Sequence, residues 1–387
     1  MNIYGYKRAN GTYGVRNHLL VIPTSVCAAD TAAKIAAQIP GAVSIPNQHG
    51  CCQIGSDLAL TQKTITGFGL NPNVGAVLVV GLGCDGVQAR AVAEEVAASG
   101  KPVEYVVIQE CGGTLKAIAK GAELAAPMAR ALSTQERVAF DISEIVMAME
   151  CGGSDPTSGL ASNPSIGYVA DKLVKLGGSA ILSETTEVIG AEHLIAARFE
   201  DDDQRAKFLA QVKSVEDRAI MMGEDLRSGQ PTPGNKVGGL STIEEKSLGC
   251  MYKAGTCPFK GALDYAELLP REKPGMYFMD TPGQDIDSIT GMVAGGAQVV
   301  VFSTGRGTPT GCPIAPVIKI TGNPDTFAKM PDNLDVNAGR IISEGVSLPE
   351  VGEEVFDLLT KVCNGQQTKA ESLGHREFGI YKLTGTF

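Results

Sequence analysis

The feature that most constrains the fold is an alternation between residues 15 and 133, where a short run of consecutive apolar residues gives way to a longer amphipathic stretch, four times over. LLVIPT at Leu19 precedes a helical stretch from Ala28 to Gln38, and VSIPNQ at Val43 precedes one that begins after Ser56. AVLVVGLG at Ala76 precedes Gln88 to Ala98, and YVVIQE at Tyr105 precedes Thr114 to Leu132. Runs that are apolar on both faces fit strands buried between helices, and their repetition with helices predicts a parallel sheet with right-handed crossovers. The pattern restarts near Asp141 with EIVMAME, a helix over Ile166 to Leu176, SAILSET and a charged helical stretch from Asp203 to Leu226, interrupted by Pro231 and Pro233. MYFMDTP, a helix over Asp285 to Ala294, QVVVFSTG, PVIKITGN and a last helix over Val351 to Val362 complete it. The expected class is α/β with two domains, each a mainly parallel sheet flanked by helices. Residues 1–138 would form a Rossmann-like domain and residues 139–387 a catalytic one.

A chain of 387 residues, 43% of them hydrophobic, has enough apolar surface for two cores. Its longest apolar runs are far too short to span a bilayer, and MNIYGYKRANGTYG lacks an apolar signal core, so a cytoplasmic protein with no membrane partner is expected. A formal net charge of −10 without a long basic run argues against nucleic acid. It also makes isolated cations conspicuous and points to a small anionic ligand. Ten cysteines in a chain of this size read as core fillers and metal ligands rather than as a disulfide framework.

Those cations sit in or beside glycine-punctuated loops: PTPGNKVGG around Lys236, EEKSLGCMYKAG around Lys246 and Lys253, and FSTGRGTPTG around Arg306. Glycine lets backbone approach a bound group closely, as anion and metal sites require. Lys236, Lys246 and Arg306 are the candidate catalytic residues; Asn235, Ser154, Thr304, Gly305 and Arg306 are candidates for binding substrate. Arg306 offers forked donors matched to a carboxylate or sulfonate, and its alternative role is to brace a loop by bonding backbone carbonyls. Lys246, near other cations, is a candidate general base with a lowered pKa. NQHGCCQIG, GLGCDG and QECGGT each follow a strand, so His49, Cys51, Cys84, Glu110 and Cys111 are expected on one rim, where open α/β sheets bind ligands. A divalent ion held by some of His49, Cys51, Cys84, Cys151 and Glu187 is the metal expectation; a tight loop with buried thiols is the alternative for the first cysteine loop.

YKRANGTYGVRN, AVLVVGLGCD, ECGGSDPTSGLASNP, ETTEVIGAEHL, PTPGNKVGGLSTIEEKSLGCMYKAG and FSTGRGTPTG, in that order, resemble the altronate and galactarate dehydratase family, which also contains the large subunit of a sulfolactate-cleaving lyase. The resemblance runs over essentially the whole chain. It implies β-elimination from a 2-hydroxy acid, with a divalent metal, commonly iron(II), and manganese or zinc as alternatives. Sulfolactate cleaved to pyruvate and sulfite is the first expectation. Loss of water from a sugar acid such as altronate or galactarate is the second, and a non-catalytic sugar-acid-binding protein the third. Fused members carry a small domain ahead of the YKRANG-like motif, whereas this chain starts almost at that motif. A stand-alone large subunit with a separate small alpha chain is therefore expected, in an oligomer of that heterodimer. Where the fused dehydratases carry a histidine three residues before the glycine of the first cysteine loop, this chain has Asn47.

Overall fold

The computed structural model describes residues 1–385. The first part of the chain forms β1 (Asn2–Lys7), β2 (Tyr13–Gly14), β3 (His18–Pro23), β4 (Ala42–Ser44), β5 (Val74–Gly81), β6 (Val103–Val107) and β7 (Val138–Asp141). Strands β3 to β6 make a parallel sheet in the order β4-β3-β5-β6. Helices Val26–Gln38, Gly55–Leu70, Ala89–Ala97 and Thr114–Ser133 connect or follow these strands, as the alternation predicts. Every residue of β5 is buried, which is why its sequence is apolar on both faces. A small antiparallel sheet, β2-β1-β7, accompanies it.

The second part contributes β8 (Val146–Gly152), β9 (Ser179–Leu182), β10 (Phe259–Leu263), β11 (Met276–Met279), β12 (Val299–Thr304), β13 (Val317–Thr321) and β14 (Val336–Asn337). They form one parallel sheet in the order β10-β11-β9-β8-β12-β13-β14. From β8 the chain first fills one side of the sheet, with β9 beside β8, β10 at the edge and β11 between them, then returns to the other side of β8 for β12, β13 and β14. The reversal opens a crevice between the carboxyl ends of β8 and β12, the place where open α/β sheets bind ligands.

The two parts share a core. Phe68, Val77, Val79 and Val96 of the first pack in one cluster with Val146, Ile181, Met279, Val300 and Phe302 of the second. Buried Asn71 donates from Nδ2 to the carbonyls of Val293 and Ala297, both at 2.8 Å, and Asn73 donates to those of Gln298 (2.8 Å) and Ile314 (3.0 Å). Among the described residues no helix is long and apolar enough to cross a membrane.

One local expectation is corrected. Lys236 and Lys246 lie not in loops but on helices, Pro233–Val237 and Ile243–Met251. Thr242 caps the second helix by accepting from Glu245 N, and Glu244 and Glu245 place negative charge at its N-terminal end. Gly249, inside that helix, lies against Gly159 in the single π turn Ser158–Ser162, where a Cβ on either would meet the other's Cα at 3.1 to 3.3 Å, tighter than ordinary contact.

Candidate active site

Strand β8 ends in Glu150, Cys151 and Gly152, and β12, paired with it, ends in Ser303 and Thr304. Gly152 is required here, since a side chain would collide with the Asp285 carboxylate and the Phe302 ring. Beyond the strands the two loops join: Arg306 N donates to Gly153 O at 2.9 Å. Asn235 Nδ2 bonds Ser154 O at 2.9 Å, and Thr304 Oγ1 accepts from Gly307 N at 2.9 Å. Ser154, Asn235, Thr304, Gly305 and Arg306 therefore gather at the crevice. Arg306 is exposed, and its guanidinium donates to Gly234 O at 2.9 Å, a loop-bracing bond.

Below this mouth lies a network of buried charge. Lys253, wholly buried, reaches Glu184 at 3.2 Å and Glu187 at 3.1 Å, and Lys246 reaches the other oxygen of Glu187 at 3.1 Å. Cys151 Sγ donates to Glu187 Oε2 at 2.8 Å and lies 3.6 Å from Cys250 Sγ. Glu150 accepts from Ser288 Oγ at 2.6 Å, and Cys151 N donates to Glu184 Oε2 at 3.2 Å. Glu184 holds a left-handed backbone conformation (φ 66°, ψ 77°), unusual for a side chain of its size, pinned by its N–H bond to Thr281 Oγ1 at 2.8 Å. A cavity of about 240 Å³ adjoins the network, lined by Ser154, Asp155, Asn163, Lys246, Cys250 and Tyr252 among others. Lys246 keeps 15% of its side chain exposed, so it is a cation shared between cavity and network.

The electrostatics follow from this packing. Burial, then the nearby Glu187, pushes Glu184 up to about 7, and the same two causes raise Asp285 to about 6. Burial and then Glu184 hold Glu150 well above the usual carboxylate range. Glu187 is the exception, because Lys253 and Lys246 outweigh its burial and keep it ionised. The carboxyl oxygens of Glu150, Glu184 and Asp285 lie within 4.8 Å of one another, as do the ligand atoms of Cys151, Glu187 and Cys250. Four carboxylates against the ammonium groups of Lys246 and Lys253 leave two negative charges uncompensated, an excess that must be met by protons or by a cation. One divalent ion on the all-oxygen triad would close that balance, and hard ions prefer such donors. Burial pushes the Cys151 thiol well up, which keeps that sulfur protonated in this arrangement.

Of the metal candidates named from sequence, the fold brings Cys151 and Glu187 into contact. His49, Cys51 and Cys84 sit on the rim of the four-stranded sheet and join no cluster of three close ligand atoms among the described residues. There the loops are tied by Gly86 N to Gly50 O at 2.9 Å and by Val26 N to His49 O at 3.0 Å, with Cys84 meeting Gln109 Nε2 at 3.8 Å. Asn47 is buried, donating to Pro23 O at 3.1 Å and accepting from His49 N at 2.9 Å, so it shapes this loop. The expected lowering of Lys246 is reversed: burial works against its charge, but the Glu187 carboxylate outweighs burial and holds the ammonium protonated. Proximity to other cations was the wrong premise, because an anion is closer. Lys236 is exposed and forms no ion pair among the described residues. Glu150, Glu184, Cys250 and Asp285 were missed; Glu150 and Glu184 lie at or just past strand ends and Asp285 at a helix start, whereas Cys250, near the end of its helix, gave no signal.

Residues 142–386 match the profile described as D-galactarate/altronate dehydratase, C-terminal, and residues 5–133 that of D-galactarate dehydratase/altronate hydrolase, second domain. The chain is 39% identical over 387 residues to the (2R)-sulfolactate sulfo-lyase subunit beta of Chromohalobacter salexigens, covering 98% of this chain and 97% of that one. It is 34% identical to an altronate dehydratase of Escherichia coli, over 97% of this chain and 77% of the relative. Identity to the L-threo-forming galactarate dehydratase of Escherichia coli is 34%, over 82% of this chain and 62% of the relative.

Proposed function

The chain belongs to the D-galactarate/altronate dehydratase family, whose members named above are lyases or dehydratases, and from that premise we propose that it catalyses β-elimination from an anionic 2-hydroxy acid, with sulfolactate its substrate and pyruvate and sulfite its products. The observation that carries this reading is the buried network at the carboxyl end of β8, with Lys246 presented from it to the cavity. Elimination transfers the proton on the carbon bearing the carboxylate to a general base other than Lys246, so negative charge accumulates on the carboxylate oxygens. A fixed cation aimed at that position stabilises the transition state more than the ground state. Lys246, kept protonated by Glu187, suits that task and is unsuited to taking the proton itself.

In this proposal Glu150, Glu184 and Asp285 hold one divalent ion, iron(II) first and manganese(II) or zinc as alternatives, which when bound polarises the substrate carboxylate. Lys253 fixes Glu184 and Glu187 relative to one another. Arg306, at the mouth, takes the sulfonate or distal carboxylate by exchanging its bond to Gly234 O for two to the substrate. Cleavage of the carbon–sulfur bond releases sulfite without prior protonation, and the enol left behind takes a proton to become the 2-oxo acid. A sugar-acid dehydratase is the second reading, favoured by the identity to altronate and galactarate dehydratases. We further propose a separate small partner chain, since the relative of matching length is named a beta subunit. Incubation with sulfolactate, altronate and galactarate, with detection of sulfite and 2-oxo acid, tests the reading. Turnover of none of them overturns it, and water loss without sulfite release transfers it to the dehydratases.

A further inference from the structure

The segment between Gly223 and Gly239 differs from everything around it. Between Ala219 and Leu240 Pro231 is the one apolar residue that is buried, and Leu226 packs only partly on the core. Its helices, Leu226–Gly229 and Pro233–Val237, are four and five residues long. Both ends turn on glycines in the left-handed region, Gly223 at φ 82° and Gly239 at φ 109°. The segment is held by polar contacts: Arg227 to Glu192 at 3.2 Å and to Glu216 at 2.7 Å, Arg306 to Gly234 O, and Asn235 to Ser154 O. A stretch with so little buried apolar surface opens at low free-energy cost.

Its position gives that looseness a use. Asn235 rests on the loop after β8, and Leu240, just beyond Gly239, lines the cavity beside Lys246. The same cavity is lined by Leu160, 65% exposed, and by exposed Leu248 and Tyr252, while Val237 at the end of the segment is 80% exposed. Lys236 stands next to Val237, exposed and without an ion pair among the described residues. We propose that residues 223–239 are a lid that folds onto the cavity mouth, burying Val237 against its apolar lining and bringing Lys236 to the second anionic group of the substrate. This rests on the elimination reading and adds the substrate class: dianionic acids, a carboxylate plus a sulfonate or a second carboxylate, in preference to monoanionic sugar acids. Closure trades the Arg306–Gly234 bond for contacts of both cations with the same anion, and it removes water from the reacting carbon.

Amide hydrogen exchange on the whole chain tests the lid apart from turnover. In the free protein, amides of residues 224–238 are expected to exchange at least about 100-fold faster than those of Ile243–Met251, and saturating sulfolactate or galactarate to slow them about tenfold. Altronate, a monoanion, should give less than half that protection, and Lys236→Met should abolish the difference between the acids. Where turnover is measurable, Lys236→Met should raise KM for the dianions about tenfold with kcat within threefold. Equal protection of the two segments in the free protein, no protection by either dianion, or equal protection by altronate each overturns the lid. Absence of turnover with protection intact overturns the elimination reading and leaves the lid standing.

Discussion

Lys253 and Glu187 lie 3.1 Å apart, the lysine without solvent exposure and the carboxylate nearly so. Removing one partner of such a pair leaves an uncompensated buried charge, so Lys253→Met should cost about 3 to 5 kcal/mol of stability. Urea denaturation measures this, and a change below about 1 kcal/mol would show that the network readily takes up a proton instead. The double variant Lys253→Met/Glu187→Gln should recover part of the loss, because it removes both charges.

In the proposed elimination Lys246 is a cation held for the transition state, so Lys246→Gln should lower kcat by about 10² to 10³ with the fold retained. Because Glu187 raises its pKa, no basic limb belonging to Lys246 should be seen between pH 6 and 9 in kcat/KM. A limb in that window which vanishes in Lys246→Arg would restore the lysine as general base.

The cation site is checked by composition before activity. Anaerobically purified protein should carry about one divalent ion per chain, lost on exhaustive chelation. Glu150→Gln should bind it much more weakly, whereas Cys250→Ala should keep it, since the sulfur set stands aside in this reading. The reverse result would move the ion to Cys151, Glu187 and Cys250.

The tail has a pH dependence of its own. Asp57 accepts from the backbone N–H of Leu383 at 2.7 Å and of Thr384 at 2.9 Å, and although burial opposes its charge these bonds hold its pKa below the ordinary carboxylate value. The unfolded value is about 3.9. The stabilisation is therefore complete well above that pH and is lost as pH falls through the lower folded value. Asp57→Asn should lose about 1 to 2 kcal/mol at pH 7 and show a flatter acid limb in thermal unfolding.

Much of the architecture was legible because parallel strands covered on both faces must be apolar on both faces, as β5 and β12 are. The same legibility concealed the chemistry. Glu150 ends the apolar run EIVMAME, yet it lies wholly inside the protein and marks the centre of the site. Asp285 looked like an ordinary acidic residue at a helix start, and nothing local distinguishes Glu184, whose strained backbone depends on Thr281 nearly a hundred residues away. Of the glycine-flanked cations Arg306 lies at the crevice, beside Asn235 and Ser154, whereas Lys236 stands exposed on its short helix. Spacing alone could not tell that Glu187 sits against Lys246.

Asn71 and Asn73 stitch the two halves of the chain through carbonyls of the second half, across an apolar cluster to which both contribute. Neither half is then a module that can be exchanged freely. A fragment ending near residue 133 would lay bare Phe68 and its neighbours and leave two amides without acceptors. A chimera joining the first half of one family member to the second half of another would have to match this seam, whatever substrate each parent turns over, before its crevice could be tested at all.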